Sequence, residues 1–366
     1  MKILFLTTGL GMGGAEKVVI SLADALAAKG HEVCIAYLTR AAVVLPVSAS
    51  IRIINLGMAS KLDVVGAFFR LRRLIREFRP DVLHSHMFHA NIVARLIKLV
   101  IPVRRLISTA HSSNEGGALR MMVYRLTDSL ANLSTNVSDE AVEAFIKAKA
   151  VRRGRMIAVH NGIAIHSFEF NASARACIRQ ALLVGDRCQL ILAVGRLHDS
   201  KDYPNLFHAL ALLPVNDFNY QLVIAGDGPL MGHLGALVVQ LGIAERVRFL
   251  GMRNDVADLM SAADIFVLSS AWEGFPIVLM EAMANQRVLV ATDCGGIREA
   301  IGDAGYLVKP KDSKALAQAL QTALKLSAVE GAALGRAARQ RVVEMYALDA
   351  VVVKWLQIYE GKVNSG

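Results

Sequence analysis

Short apolar runs alternate with helical patterns along almost the whole of this chain, and that rhythm admits few folds. Strand patterns stand at 2–7, 31–38, 51–55, 81–85, 104–109, 132–137 and 156–160, with helical patterns at 15–29, 62–78, 90–99, 119–131 and 139–148. An irregular stretch from Asn161-Gly162-Ile163 to about 188 follows, and then the same grammar restarts. Its strands fall at 189–194, 220–225, 246–250, 264–268, 287–291 and 306–308; helices at 204–213, 229–241, 254–261, 277–285, 297–301, 312–326 and 329–346 separate and follow them. Strand–helix–strand repetition of this kind predicts parallel sheets buried between helices, an α/β fold. With 366 residues, 54% hydrophobic, two such cores are expected rather than one.

The net charge of +10 is not shared evenly. Residues 1–160 hold 22 Lys+Arg against 11 Asp+Glu, leaving 19 against 20 for the rest of the chain. A basic first half calls for an anionic partner. The helix pattern at 62–78 offers Arg70, Arg72, Arg73 and Arg76 beside Leu62, Val65, Phe68, Phe69, Leu71, Leu74, Ile75 and Phe78, with Lys61 and Arg79 at its ends. A basic amphipathic helix suits an anionic membrane surface, and the alternative is a core-facing stripe with a solvated basic back. Arg95, Lys98, Arg104 and Arg105 extend the charge. The start of the chain reads as a strand rather than a signal peptide, and no apolar run is long enough to span a bilayer. Cys34, Cys177, Cys188 and Cys294 lack disulfide or zinc spacing, so reduced thiols in a cytosol are expected.

Several strand-to-helix loops carry chemistry. Gly9-Leu10-Gly11-Met12-Gly13-Gly14-Ala15-Glu16 fits G-x-G-x-x-G, a phosphate-cradling pattern, but no acid closes the second strand to hold a ribose, and Arg40 leaves NADP open. Gly195-Arg196-Leu197-His198-Asp199-Ser200-Lys201 places two cations on one loop, where they can converge on an anion. Gly226-Asp227-Gly228-Pro229 and Gly251-Met252-Arg253 are further turns after strands. Ser270-Ala271-Trp272-Glu273-Gly274-Phe275-Pro276-Ile277-Val278-Leu279-Met280-Glu281 sets one carboxylate on a loop and a second in a helix, with Pro276 expected at the first helical position. Fully helical spacing would part the acids by roughly 12 Å along the axis, too far for a glycosidase pair. Two acids holding different hydroxyls of one extended ligand fit better.

These loops together resemble the retaining GT-B glycosyltransferases of sequence family 4: the E-x7-E run at 273–281, the G-R-x-x-x-x-K run at 195–201, the G-x-G-P run at 226–229 and the Cys294-Gly295-Gly296-Ile297-Arg298-Glu299 run. The likeness implies two Rossmann-like domains facing across a cleft, with boundaries at 1–165 and 166–348 and a last helix, 349–366, crossing back to the first. It implies a nucleotide-sugar donor, UDP-linked for preference. Arg196 and Lys201 would grip its diphosphate, Glu281 its ribose, and Glu273 and His111 its sugar. Gly13, Gly14, Gly226, Met252, Phe275, Pro276, Ile277 and Val278 would line the donor. Glu16 and His86 are candidate acceptor contacts.

The chain has no D-x-D, so transfer without a metal or other cofactor is expected. Asn161-Gly162-Ile163-Ala164 lacks the Asp that the family commonly carries after its Asn-Gly-Ile. The expected acceptor is a saccharide or lipid-linked saccharide, in cell-surface polysaccharide synthesis at the inner face of the membrane, with no nucleic-acid partner. Two rival readings stand beside this one: an NADP-dependent oxidoreductase built on the Gly loop, and a non-catalytic module that binds anionic surfaces.

Overall fold

The computed structural model describes residues 1–363 apart from 12, 40, 114, 215 and 216, with the side chain of Lys61 also excluded. Arg40, Met12 and the Lys61 side chain, read above for charge and loop chemistry, therefore lie outside the described residues. The chain separates into two compact units, Met1–Gly162 with Leu348–Gly366, and Ile163–Ala347.

The first unit is a seven-stranded parallel sheet: β1 (Lys2–Thr7), β2 (Glu32–Tyr37), β3 (Arg52–Asn55), β4 (Val82–His86), β5 (Arg105–Thr109), β6 (Leu133–Asn136) and β7 (Met156–Ala158). They lie in the order β3-β2-β1-β4-β5-β6-β7. Side chains alternate across a strand, so Ile3 and Phe5 enter one core and Leu4 and Leu6 another. The Gly14–Ala28 and Leu348–Glu360 helices cover the first face through Leu22, Leu26, Val352, Trp355 and Ile358. The Val64–Phe78 and Phe88–Ile97 helices cover the second through Leu71, Ile75, Ala94 and Ile97. Each such side chain, fully buried, is worth about 1.5–3 kcal/mol. The final helix is thus a core element of the first unit, fixed by its apolar stripe.

The amphipathic helix faces inward more than its charges suggest. Ala67, Leu71, Leu74, Ile75 and Phe78 are buried, while Leu62, Val65 and Phe69 stay exposed with Arg70, Arg73 and Arg76, and Arg72 is half-buried. The Arg70 guanidinium donates to the carbonyls of Leu56 (2.7 Å) and Gly57 (3.2 Å), so it serves the fold. The helix stops where Arg79 turns left-handed (φ 52°), because Pro80 disfavours helical geometry in the residue before it.

The second unit is a six-stranded parallel sheet of β8 (Gln189–Val194), β9 (Tyr220–Ala225), β10 (Val247–Phe249), β11 (Ile265–Leu268), β12 (Val288–Thr292) and β13 (Tyr306–Val308), ordered β10-β9-β8-β11-β12-β13. Two expectations need correction. The stretch read as irregular contains a helix, Ala172–Ala181, which docks by polar contacts: Arg175 and Arg179 reach the Ala262 carbonyl and the Asp264 carboxylate. Pro276 is not the first helical residue but caps a helix that begins at Ile277, its ψ of 113° still extended.

Candidate functional site

In the second sheet the strand order reverses between β8 and β11. In open parallel sheets, ligands bind at the carboxyl ends of strands where the order reverses. The loops after these two strands are those that carry Lys201 and Glu273. They are tied together directly: Ala271 N donates to Ser200 O (2.8 Å), and Ser269 Oγ donates to Lys201 O (2.8 Å). Asp202, in the left-handed region (φ 44°), turns the chain sharply after Lys201, and its carboxylate caps the Tyr203–Ala211 helix. Lys201 Nζ pairs with Glu273 Oε1, and Ser270 Oγ donates to the same oxygen at 2.6 Å. The two side chains are largely buried, 17% and 14% exposed. The sequence set Lys201 beside Arg196 on one loop; folding sets it against an acid from another. Arg196 is exposed and has no hydrogen-bond or ion-pair partner among the described residues.

Glycines let the neighbouring loops interlock. A Cβ on Gly226 would lie 2.0 Å from Gly195 O, and one on Gly228 would lie 2.3 Å from Leu197 O. Gly226 N donates to Gly251 O at 2.8 Å, joining the third loop. On the other flank Gly295 is left-handed (φ 57°), its missing Cβ only 2.3 Å from Glu273 O, while Gly296 N donates to Gly274 O (2.7 Å). Glu273 is therefore clamped from two sides.

Of the other expected donor residues, Glu281 is buried on the Ile277–Ala284 helix. Ile277 and Val278 are half-buried at that helix's start. Phe275 and Pro276 are buried; the Phe275 ring packs edge-on to Tyr346 (5.2 Å), which leaves its backbone rather than its ring for a ligand. Met252 is exposed, and Arg253 is held by Asp255. Ser270 was not singled out from the sequence, though the hydroxyl three residues before Glu273 was the available signal.

In the first unit the order reverses between β1 and β4. An open pocket lies there, lined by Thr8, Met87, Phe88, His89, Glu115, Gly116 and Arg120. Gly13 precedes the helix that starts at Gly14, and a Cβ on it would strike Glu16 Oε2 at 2.2 Å, so the loop closes against that carboxylate.

His111 follows β5. Its backbone N donates to Glu115 Oε1 (2.9 Å), and the Tyr124 hydroxyl donates to the other oxygen of that acid. Burial raises the Glu115 pKa. Sequence reading missed Glu115; its place four residues after His111 was the only hint. His86, expected to meet an acceptor, is 1% exposed, and its Nδ1 lies 3.0 Å from His111 Nε2. Burial lowers His84 and His86 well below the ordinary value and brings His111 down to about 4. Burial thus favours the neutral form of all three rings.

The chain matches two family models, "Glycosyltransferase Family 4" over residues 12–166 and "Glycosyl transferases group 1" over residues 175–341. It is 30% identical over 347 residues to the Campylobacter jejuni GalNAc-alpha-(1->4)-GalNAc-alpha-(1->3)-diNAcBac-PP-undecaprenol alpha-1,4-N-acetyl-D-galactosaminyltransferase, covering 88% of this chain and 89% of that protein. Among solved structures it superimposes on HepE of Anabaena in complex with UDP-glucose (TM-score 0.84, 22% identity, 99% of this chain and 100% of that one). It also superimposes on the sucrose-phosphate synthase of Thermosynechococcus elongatus (TM-score 0.87, 23% identity, 99% of each chain). Neither the oxidoreductase nor the non-catalytic reading survives these matches, which the loops at 195–201 and 273–281 had already favoured. The chain belongs to the family-4 glycosyltransferases and has the GT-B fold.

Proposed function

We propose that this enzyme moves a sugar from a UDP-linked donor to a hydroxyl of a lipid-linked saccharide, with retention of anomeric configuration and without a metal ion. The observation that carries this reading is the buried Lys201–Glu273–Ser270 cluster at the strand-order reversal, with Arg196 exposed on the same loop as Lys201. HepE was crystallised with UDP and with UDP-glucose, and the Campylobacter relative is named for an undecaprenol-linked acceptor. Both support the substrate classes.

In the proposed reaction the bond from the anomeric carbon to the diphosphate oxygen breaks, and negative charge grows on the leaving phosphate. Arg196 and Lys201 meet that charge as it develops, which stabilises the transition state more than the bound donor. Glu281 holds the ribose hydroxyls, and Glu273 and His111 orient the sugar. Gly226, Met252, Phe275, Pro276, Ile277 and Val278 border the donor; Gly13, Gly14 and Glu16 serve the first unit's loop. The departing phosphate oxygen takes the acceptor proton, and the acceptor oxygen bonds to the same face of the ring.

The test is transfer from a panel of nucleotide-sugars, with the new linkage read by NMR. Inversion, or no turnover with any UDP-sugar, would overturn the reading. Transfer should also persist in excess EDTA, because the loop cations replace the missing D-x-D. Activity that vanishes in EDTA and returns with magnesium or manganese would refute metal independence.

Attachment to the inner face of the membrane, in the cytoplasm, belongs to the same proposal. No helix among the described residues is long and apolar enough to cross a bilayer. Each basic side chain near an anionic surface contributes about 1 kcal/mol. Co-sedimentation with anionic but not neutral vesicles is therefore expected, weakened by salt. Changing Arg72, Arg73 and Arg76 to Gln should release the protein while UDP affinity holds. Arg70 is left out of that variant because it bonds the 56–57 loop. Unchanged sedimentation would show that the basic helix has another partner.

A further inference from the structure

The three histidines at the carboxyl ends of β4 and β5 form one row. His84 and His86 project from the same face of β4, their ring centroids 4.0 Å apart, and His86 lies 5.2 Å from His111. His84 is satisfied at both nitrogens: Nδ1 lies 2.7 Å from the Tyr359 hydroxyl and Nε2 lies 2.7 Å from Thr109 Oγ1. Trp355 packs on the same ring at 4.5 Å, so the last helix of the chain fixes the inner end of the row. His86 differs. Its Nδ1 meets His111 Nε2, but its Nε2 is buried without a partner.

A neutral imidazole has one N–H and one acceptor nitrogen. The contact between His86 and His111 then admits two arrangements. If His111 donates from Nε2, the His86 proton must sit on Nε2, a buried N–H with no acceptor. If His86 donates from Nδ1, only a lone pair is left bare. Buried donors without partners are rarer than under-used acceptors, and stranding one costs about 1–3 kcal/mol. The small cavity that His86 lines is walled mostly by apolar side chains such as Val18, Leu22, Val137 and Val351; Thr109, His160 and Asn161 also border it, but none makes a hydrogen bond to Nε2. The second arrangement is therefore favoured.

We infer that His86 is a positioning residue: its Nδ1–H donates to His111 Nε2 and holds His111 in the tautomer whose proton is on Nδ1. That nitrogen has no partner among the described residues. It presents an N–H, so His111 is a hydrogen-bond donor to a ligand oxygen and not an acceptor from a ligand hydroxyl. The inference rests on the proposed role of His111 at the sugar. It adds that the sugar must supply a lone pair there.

The test uses the full chain with ¹⁵N-labelled histidine and long-range ¹H–¹⁵N correlation spectra. His111 should show a protonated Nδ1 and an unprotonated Nε2. In His86→Leu that preference should be lost, with the Nε2–H form appearing, and kcat should fall on the order of tenfold, the rate equivalent of about 1.4 kcal/mol. His86→Asn places an amide N–H where Nδ1–H stood and should restore the tautomer and part of the rate. A wild-type His111 protonated on Nε2, or one unchanged in His86→Leu, would overturn the inference whatever the rates do. A tautomer shift with unaltered kcat would uphold it and would defeat instead the role proposed for His111 in transfer. Should His86→Leu not fold, the wild-type and His86→Asn spectra still decide the assignment.

Discussion

Lys201→Ala should weaken UDP binding by about 2–5 kcal/mol, the usual loss when one member of a desolvated charge pair is truncated at a binding site. Two effects add. On the proposed role the diphosphate loses a cation at the carboxyl end of β8, and Glu273 keeps a largely buried charge with Ser270 alone, among the described residues, to serve it. The second effect makes the variant informative without ligand. A buried acid without its partner destabilises the unit that holds it, so the thermal transition should also fall. Lys201→Met, which keeps the stem but not the charge, should do the same; Glu273→Gln should relieve the stability loss in the double variant but not the binding loss. Calorimetry that finds UDP affinity unchanged in Lys201→Ala would remove Lys201 from the donor site.

Gly295→Ala should be strongly damaging to the second unit's site. Its φ of 57° is one that alanine adopts only with strain, about 1–2 kcal/mol, and the added carbon would stand 2.3 Å from the Glu273 carbonyl. Backbone must give way, and overpacking of that kind costs about 1–3 kcal/mol more. The sum, about 2–5 kcal/mol, predicts a fall in melting temperature of roughly 4–20 °C for a unit this size. Donor affinity should drop with it, because the movement is imposed on the residue that pairs with Lys201. Gly232→Ala is the matched control, since nothing stands near its Cβ and the residue lies in the Met231–Gln240 helix. If Gly295→Ala melts like the parent and binds UDP equally well, the clamp on Glu273 is not what holds the loop.

The architecture was legible because burial on both faces writes each strand as an apolar run, as in Ile3-Leu4-Phe5-Leu6, and each crossover as a helix. The loops were legible because glycine and charge after a strand have few structural uses. What escaped was everything that depends on partners distant in sequence. The Ala172–Ala181 helix was missed because it buries Arg179 rather than an apolar stripe, and its contacts are to carbonyls and Asp264 some 85 residues away. The Lys201–Glu273 pair spans 72 residues, so the two were read as separate motifs with separate tasks. His86 was read for its chemistry alone, and only the fold shows that its ring is enclosed and speaks to His111.

The return of the last helix to the first sheet sets a timetable for synthesis on the ribosome. Val352, Trp355 and Ile358 complete the core that contains Ile3 and Phe5, yet they are made only after the whole second unit. Between them and residue 162 stands the whole Ile163–Ala347 unit. At about 5–20 residues per second, the first sheet waits roughly 10–40 s with one apolar face incompletely covered. The second unit has no such debt: it emerges as one uninterrupted segment, its entry and exit joined where Ile163 N bonds Tyr346 O at 2.9 Å and Ile163 bridges to Ala347. The half that starts first therefore finishes last. Until that helix emerges the nascent chain exposes an apolar surface beside Tyr37 and Leu22.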